Sequence, residues 1–377
     1  MAANIFQAGG VNNNWNTPGN WSLGSVPTAS DGNTATFNGT SPNCTVNVAS
    51  VCNSIDFTGY ANTITMTNTI TVGSGTVGTI TLGTTTVNTS GSSALIATGT
   101  VSLTSGTGGL WGGTLSFTTA SATKTLTSNF STTNLTVTNN TTLNGVFNCN
   151  ISGNLTLAGT LAGTTTLIMN GTGTWSGTGM ITNNISINTS GTITLSGSLQ
   201  YNTGTLTYTA GTISVGTSTV TISVGTTISG GMSFYNLTES GAITITLNTS
   251  PISIFGTLTL PGSTTFAGTT GFSANTLTCT TAGLTQTLKS TNTYTITNIL
   301  TLTGIAASNI TLKAATASSA SFFKLQPGAT QAVSFVTATD INSSGGQTIY
   351  DYKPTLTRTV NWSSLTAPAT ISYAFVD

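Results

Sequence analysis

The side chains able to do acid–base or nucleophilic chemistry are few. The carboxylates are Asp31, Asp56, Glu239, Asp340, Asp351 and Asp377, set against six Lys plus Arg and no His in 377 residues. Glycoside cleavage uses two carboxylates roughly 5–9.5 Å apart across the scissile bond. Only Asp31 with Asp56, and Asp340 with Asp351, are close in sequence, and both pairs lie toward the chain ends. Without His there is no Ser-His-Asp or Cys-His relay. A Lys or Arg base assisted by calcium lacks the clustered acids that would hold the ion. The glycine-rich run 106–113, GTGGLWGG, has no Lys and reads as turns rather than a phosphate loop. The expectation is a protein that is not an enzyme, with no cofactor and no metal.

Composition narrows the partners as well. Charged residues make up 3% of the chain and the net charge is zero, so no basic field exists for nucleic acid or anionic lipid. No run of 18 apolar residues occurs, and the start MAANIFQAGG lacks the charged and apolar regions of a signal peptide. No nucleic acid and no membrane partner are therefore expected, with synthesis in a cytoplasm. Cys44, Cys52, Cys149 and Cys279 are too scattered for a disulfide framework. They read as small buried apolar residues, with a Cys44–Cys52 bridge as the alternative.

Such sparse chemistry has to be positioned by short strands. Segments such as Thr63-Ile64-Thr65-Met66 and Thr79-Ile80-Thr81-Leu82 alternate polar and apolar residues, with Gly, Ser and Asn between them. Superposed on this period of two is a longer one. Leu95, Leu115, Leu135, Leu155, Trp175, Leu195 and Val215 stand at steps of 20, a phase that continues through Leu237, Leu258, Leu277 and Leu300. A second ladder runs Phe147, Leu167, Ile187 and then Leu206 or Tyr208; a third runs Leu161, Ile181, Tyr201.

Three inward ladders per 20 residues predict an all-β, parallel β-solenoid (β-helix) with three short strands per coil. Its coils stack about 4.8 Å apart, with Thr, Ser and Asn outside. The charge distribution divides the chain into an N-terminal cap with first coils (1–56), a solenoid (57–315) and a closing segment (316–377). The middle part corresponds to about 13 coils over a length on the order of 60 Å. Caps are needed because the end coils alone carry unpaired strand edges. Trp175 belongs to the Leu ladder, and Trp111 reads as core or corner packing, with a sugar platform as the alternative.

The most distinctive stretch is NNNWNTPGNWSLGSVPTASDGNTATF, with Trp15, Asn20-Trp21-Ser22, Gly24, Pro27, Asp31 and Phe37. This pattern resembles the opening of β-helical structural proteins of tailed bacteriophages, and a similar opening occurs in exported bacterial repeat proteins. Residues 52–74 and 322–364 resemble the same phage group. The resemblance implies a right-handed β-helix on a virion surface, as a decoration, fibre or appendage component that contacts capsid or tail proteins. Trp15, Trp21, Pro27, Asp31 and Phe37 are the candidate attachment residues, and Tyr350, Tyr352, Arg358 and Trp362 the candidate C-terminal contacts.

As a cap, Trp15, Trp21 and Phe37 would cover the end of the core, Pro27 would block strand pairing and Asp31 would tie a turn. Trimerisation is common among phage β-helices, so a homotrimer is implied by resemblance alone. The rival readings are an adhesin that recognises host surface glycan, an exported repeat protein, and an ice-binding solenoid. The last needs uniform outward Thr, but the row Ile96, Ser116, Thr136, Thr156, Ser176, Ser196, Gly216 is mixed.

Overall fold

A computed structural model describes residues 2–7, 9–73, 77–84, 86–91, 93–106, 109–118, 122–139, 141–145, 148–163 and 166–366. Among these, the chain is all-β apart from one short 3-10 turn at Pro18–Asn20. Among the described residues no helix is long and apolar enough to cross a membrane. The chain divides into two compact units, Met1–Leu199 with Thr209–Ser214, and Gln200–Tyr208 with Val215–Asp377. Each is a parallel β-solenoid.

In the first unit the main ladder follows the sequence. Ser50, Ile70, Leu95, Leu115, Leu135, Leu155, Trp175 and Leu195 stand opposite one another in successive parallel strands. From Ile70 to Leu195 all are buried. Their neighbours Ile96, Ser116, Thr136, Thr156, Ser176 and Ser196 form the mixed row beside them. A coil comprises three strand runs, for example Asn148–Ile151, Leu155–Leu157 and Thr160–Leu161. The third ladder is also present, with Leu161 opposite Ile181.

The second ladder is shifted. Leu167 stands between Cys149 and Ile185, whereas Ile187 stands opposite Met169. The step from Leu167 to Ile185 is 18 because the corner between Ile181 and Ile185 is two residues shorter than that between Leu161 and Leu167, the difference being made up before Leu195. Phe147 lies outside the described residues.

In the second unit Val220, Leu237, Leu258, Leu277 and Leu300 form an inward ladder of their own. Val215 is not part of a ladder. Its carbonyl accepts from the Ser218 N–H at 3.1 Å across a turn in which Gly216 has φ +52°. Coil length thus varies while the inward parity of each strand is kept.

Asparagine has a repeated duty at the corners, where the ladder leaves backbone N–H groups unpaired. The Asn134 side-chain oxygen accepts from the N–H of Asn154 at 2.8 Å, and that of Asn154 accepts from Thr174 at 2.9 Å. Asn43 does the same for Thr63 at 2.8 Å, and Asn236 for Thr257 at 2.9 Å. The residue that opens one coil is thereby bonded to the opening of the next.

Because Leu155 is packed between Leu135 and Trp175, Leu155→Ala is expected to cost about 2–5 kcal/mol of unfolding free energy. The adjacent outward Thr156→Ala should stay within about 0.5 kcal/mol of the parent. Denaturant titration followed by circular dichroism measures both.

Candidate functional surfaces

The N-terminal motif is built into the fold. Trp15, Trp21 and Phe37 are buried, with 4.9 Å between the Trp15 and Trp21 ring centroids and 5.7 Å from Trp15 to Phe37. Phe37 stacks on Phe57 at 5.4 Å, and Phe57 meets buried Trp111 at 5.4 Å. The Trp21 indole donates to the Trp15 carbonyl at 2.7 Å. Buried Asn20 donates to the carbonyls of Asn12 and Asn14 at 2.7 and 2.8 Å and accepts from the Gly10 N–H. Pro27 is buried. Exposed Asp31 closes its own turn, accepting from the N–H groups of Thr28 at 2.9 Å and Asn33 at 2.8 Å. These aromatic rings hold the first coils together, and the side chains exposed here include Val11 and Leu23, which are 99% and 49% exposed.

At the other end, Arg358 grips Asp340 with two bonds of 2.5 and 2.7 Å. The guanidinium holds the Asp340 carboxyl below the usual range, helped by the Ser318 N–H at 3.1 Å. Both residues are left-handed, with φ of 57° and 50°, as are Phe335, Lys353 and Asn361. Bulky residues rarely adopt that conformation, and here the ion pair and the packing hold it. Lys353 lies 5.2 Å from the centre of the Tyr352 ring, which meets Phe335 edge-on at 5.5 Å. Tyr350 is exposed, and the half-buried Trp362 donates to the Ser343 hydroxyl at 3.0 Å.

The remaining chemistry is internal. Glu239 follows the inward Leu237 by two positions, so strand parity places it in the core, next to Ile222 of the neighbouring coil. Neither carboxylate oxygen has a hydrogen-bond partner, and burial raises its pKa to about 8, the nearby Thr264 hydroxyl opposing the rise only in part. Asp351 accepts one bond, from the Val336 N–H at 3.2 Å, and burial raises it to about 7. Lys124 stands opposite Leu143 in an inward row, its ammonium donating to the Gly99 carbonyl, and burial lowers its pKa. The four cysteines are free and buried, their pKa values raised by desolvation. Among the described residues no three His, Cys, Asp or Glu gather as a metal site. Asp377 lies outside the described residues.

Among the described residues, recesses open on the solenoid walls. One, of about 180 Å³, is lined by Gly109, Asn129, Phe130, Ser131 and Asn150. Its amides are engaged, Asn129 by the Asn148 N–H and Asn150 by the Ser131 hydroxyl. Another, of about 250 Å³, is lined by Ser253, Ile254, Phe255, Ser273, Asn275 and Thr297.

Sequence reasoning did not find the second recess, because bulges create it. Between Ile254 and Thr257 the chain has two residues where the next strand has only Asn275, and the strand after that again has two, Thr297 and Asn298. A bulge bends its strand away and re-aims side chains. Here two bulged strands flank a shorter one, and the recess lies over it. Gly256 is required at this corner, since a Cβ would come within 2.4 Å of the Asn236 side-chain oxygen.

In comparisons with known proteins, no family model, no curated protein and no solved structure matches the chain.

The buried acids give a pH signature. A carboxyl with a raised folded pKa keeps its proton in the fold while the unfolded chain loses it, so stability falls as pH rises between the two values. Asp340 acts in the opposite sense, its contribution being lost as pH falls through the low carboxylate range. Thermal stability should therefore be highest near about pH 4 and decline toward about pH 8. Glu239→Gln and Asp351→Asn should each flatten that decline; an unchanged slope in both would contradict their burial as raised-pKa carboxyls.

Proposed function

We propose that this chain is a non-enzymatic structural protein of a bacteriophage virion, displayed on the particle as a decoration, fibre or appendage component and held by capsid or tail proteins. The observation that carries the reading is the N-terminal segment, in which the phage-like motif serves the solenoid itself. Asn20 ties the entering loop, Trp21 plugs the core, Ser22 accepts from the Ile5 N–H at 2.8 Å and Asp31 closes a turn. A motif spent in this way starts a stable solenoid and asks for no substrate.

The acids agree with a structural role. Asp340 is paired with Arg358, Asp56 accepts from the N–H and hydroxyl of Thr58 at 2.8 and 2.6 Å, and Glu239 and Asp351 are buried. A wall of neutral hydroxyls also limits nonspecific ionic adhesion. Docking through the N-terminal end is the preferred arrangement, because a repeated wall offers few unique groups and specificity needs groups that a wrong partner leaves unsatisfied.

Deleting the whole motif would strip Phe37 from Phe57 and unfold the first coils, so point changes are the better test. Val11→Asp combined with Leu23→Asp should abolish recovery of the protein in purified particles, with circular dichroism unchanged. Normal incorporation would remove N-terminal docking. Absence of the parent protein from particles, together with its recovery in an exported bacterial fraction, would replace the virion reading with that of an exported repeat protein.

A further inference from the structure

We propose that the recess over Asn275 is a binding site for a neutral glycan. The register places one row of residues along this corner. Phe234, Ile254, Ala274 and Ile296 stand opposite one another facing inward, and the residue that follows each is Tyr235, Phe255, Asn275 and Thr297. Phe255 is 59% exposed. Strand alternation after the inward Ile254 sets it outward, and the bulge at 255–256 lies directly beside it. An outward aromatic ring beside polar groups is suited to the C–H face of a pyranose, which is apolar while its edge is polar.

The polar groups are available. Ser253 and Ser273 are aligned on adjacent strands, and among the described residues neither their hydroxyls nor the Asn275 amide has a hydrogen-bond partner. An amide supplies both a donor and an acceptor, and each hydroxyl can do either, which matches the mixed demand of vicinal sugar hydroxyls. The smaller recess near Phe130 differs here, since its amides are already engaged. Free groups, an exposed ring and a concavity coincide in the Phe255 recess.

Charge selects among glycans. Along the Ser253–Ser273 row the next residues are Thr295 and then Lys324, so the first cation lies two strands beyond Ser273, about 10 Å away. None of the recess residues is ionisable. A polyanionic chain would find a single counter-charge at one end, whereas a neutral chain can run across successive coils without leaving a charge desolvated.

The test uses the full-length protein with panels of neutral oligosaccharides (glucans, mannans, galactans) and anionic ones (alginate, polysialic acid), read by saturation-transfer NMR and calorimetry. At least one neutral glycan should bind, with affinity unchanged between low and high salt. Phe255→Ala and Asn275→Ala should each weaken it by about tenfold or more, while Val224→Ala, an exposed residue outside the recess, leaves it unchanged. All three side chains are at the surface, so circular dichroism should match the parent. Binding only to anionic glycans, binding that disappears with salt, failure of every neutral glycan to bind, or full binding by Phe255→Ala would each overturn the proposal. None of these outcomes bears on incorporation into particles.

Discussion

Everything in either unit depends on parallel pairing between one coil and the next. Each strand gives its backbone hydrogen bonds to neighbours before and after it, so a residue inherits its inward or outward direction from the coil below. That inheritance makes columns. Leu95 to Leu195 form one, and Ile96 with the Ser and Thr hydroxyls that follow it another. It also explains how so uncharged and Thr-rich a sequence can avoid cross-β aggregation, because strand edges that would template a second chain are already occupied. Insertions are absorbed at corners, where the Asn side chains take over N–H groups that the ladder leaves unpaired.

The columns also show the cost of polar exceptions. Gln286 occupies an inward position and is satisfied, donating to the Gly262 carbonyl at 2.8 Å and accepting from the Thr264 N–H at 3.1 Å. Glu239 occupies another and is not, which is why burial moves its pKa so far. The difference is one of reach and complementarity, since an amide offers a donor to the carbonyls at the corner and a carboxylate has none. Lys124 lies between these cases, with one carbonyl to receive its ammonium.

How much of this was legible follows from the same constraint. The Leu ladder of the first unit could be read directly because the coils from Leu95 to Leu195 keep one length, so a fixed step finds every partner. Leu167 with Ile187 could not, because the corner before Ile185 is two residues shorter than the one before Leu167 and the segment after it two residues longer, so the coil keeps its length while this strand slips. Val215 falls at the right step but in a turn. The inward placement of Lys124 and Glu239 was present in the strand parity of TKTL and NLTE, where a charge lies two residues from a buried Leu. The Phe255 recess was hidden, since a bulge changes the backbone register of neighbouring strands relative to each other, and alternation within a single strand does not report it. The motif residues Trp15, Trp21 and Phe37 were recognisable as an aromatic group, and only the packing shows that their rings are enclosed.

The central claim is the register itself, and engineered disulfides read it most directly. Thr156 and Ser176 are outward residues opposite each other in adjacent strands. Parallel neighbours at about 4.8 Å fall within the Cα separation a disulfide tolerates. Replacing both with Cys should give a bond under mild oxidation that forms in the folded monomer, detected by mass spectrometry of a proteolytic digest. The pair Thr156→Cys with Ser196→Cys, two strands apart, should remain reduced. The reverse pattern, with the 156–196 pair oxidised and the 156–176 pair free, would contradict the stacked register on which the whole account rests.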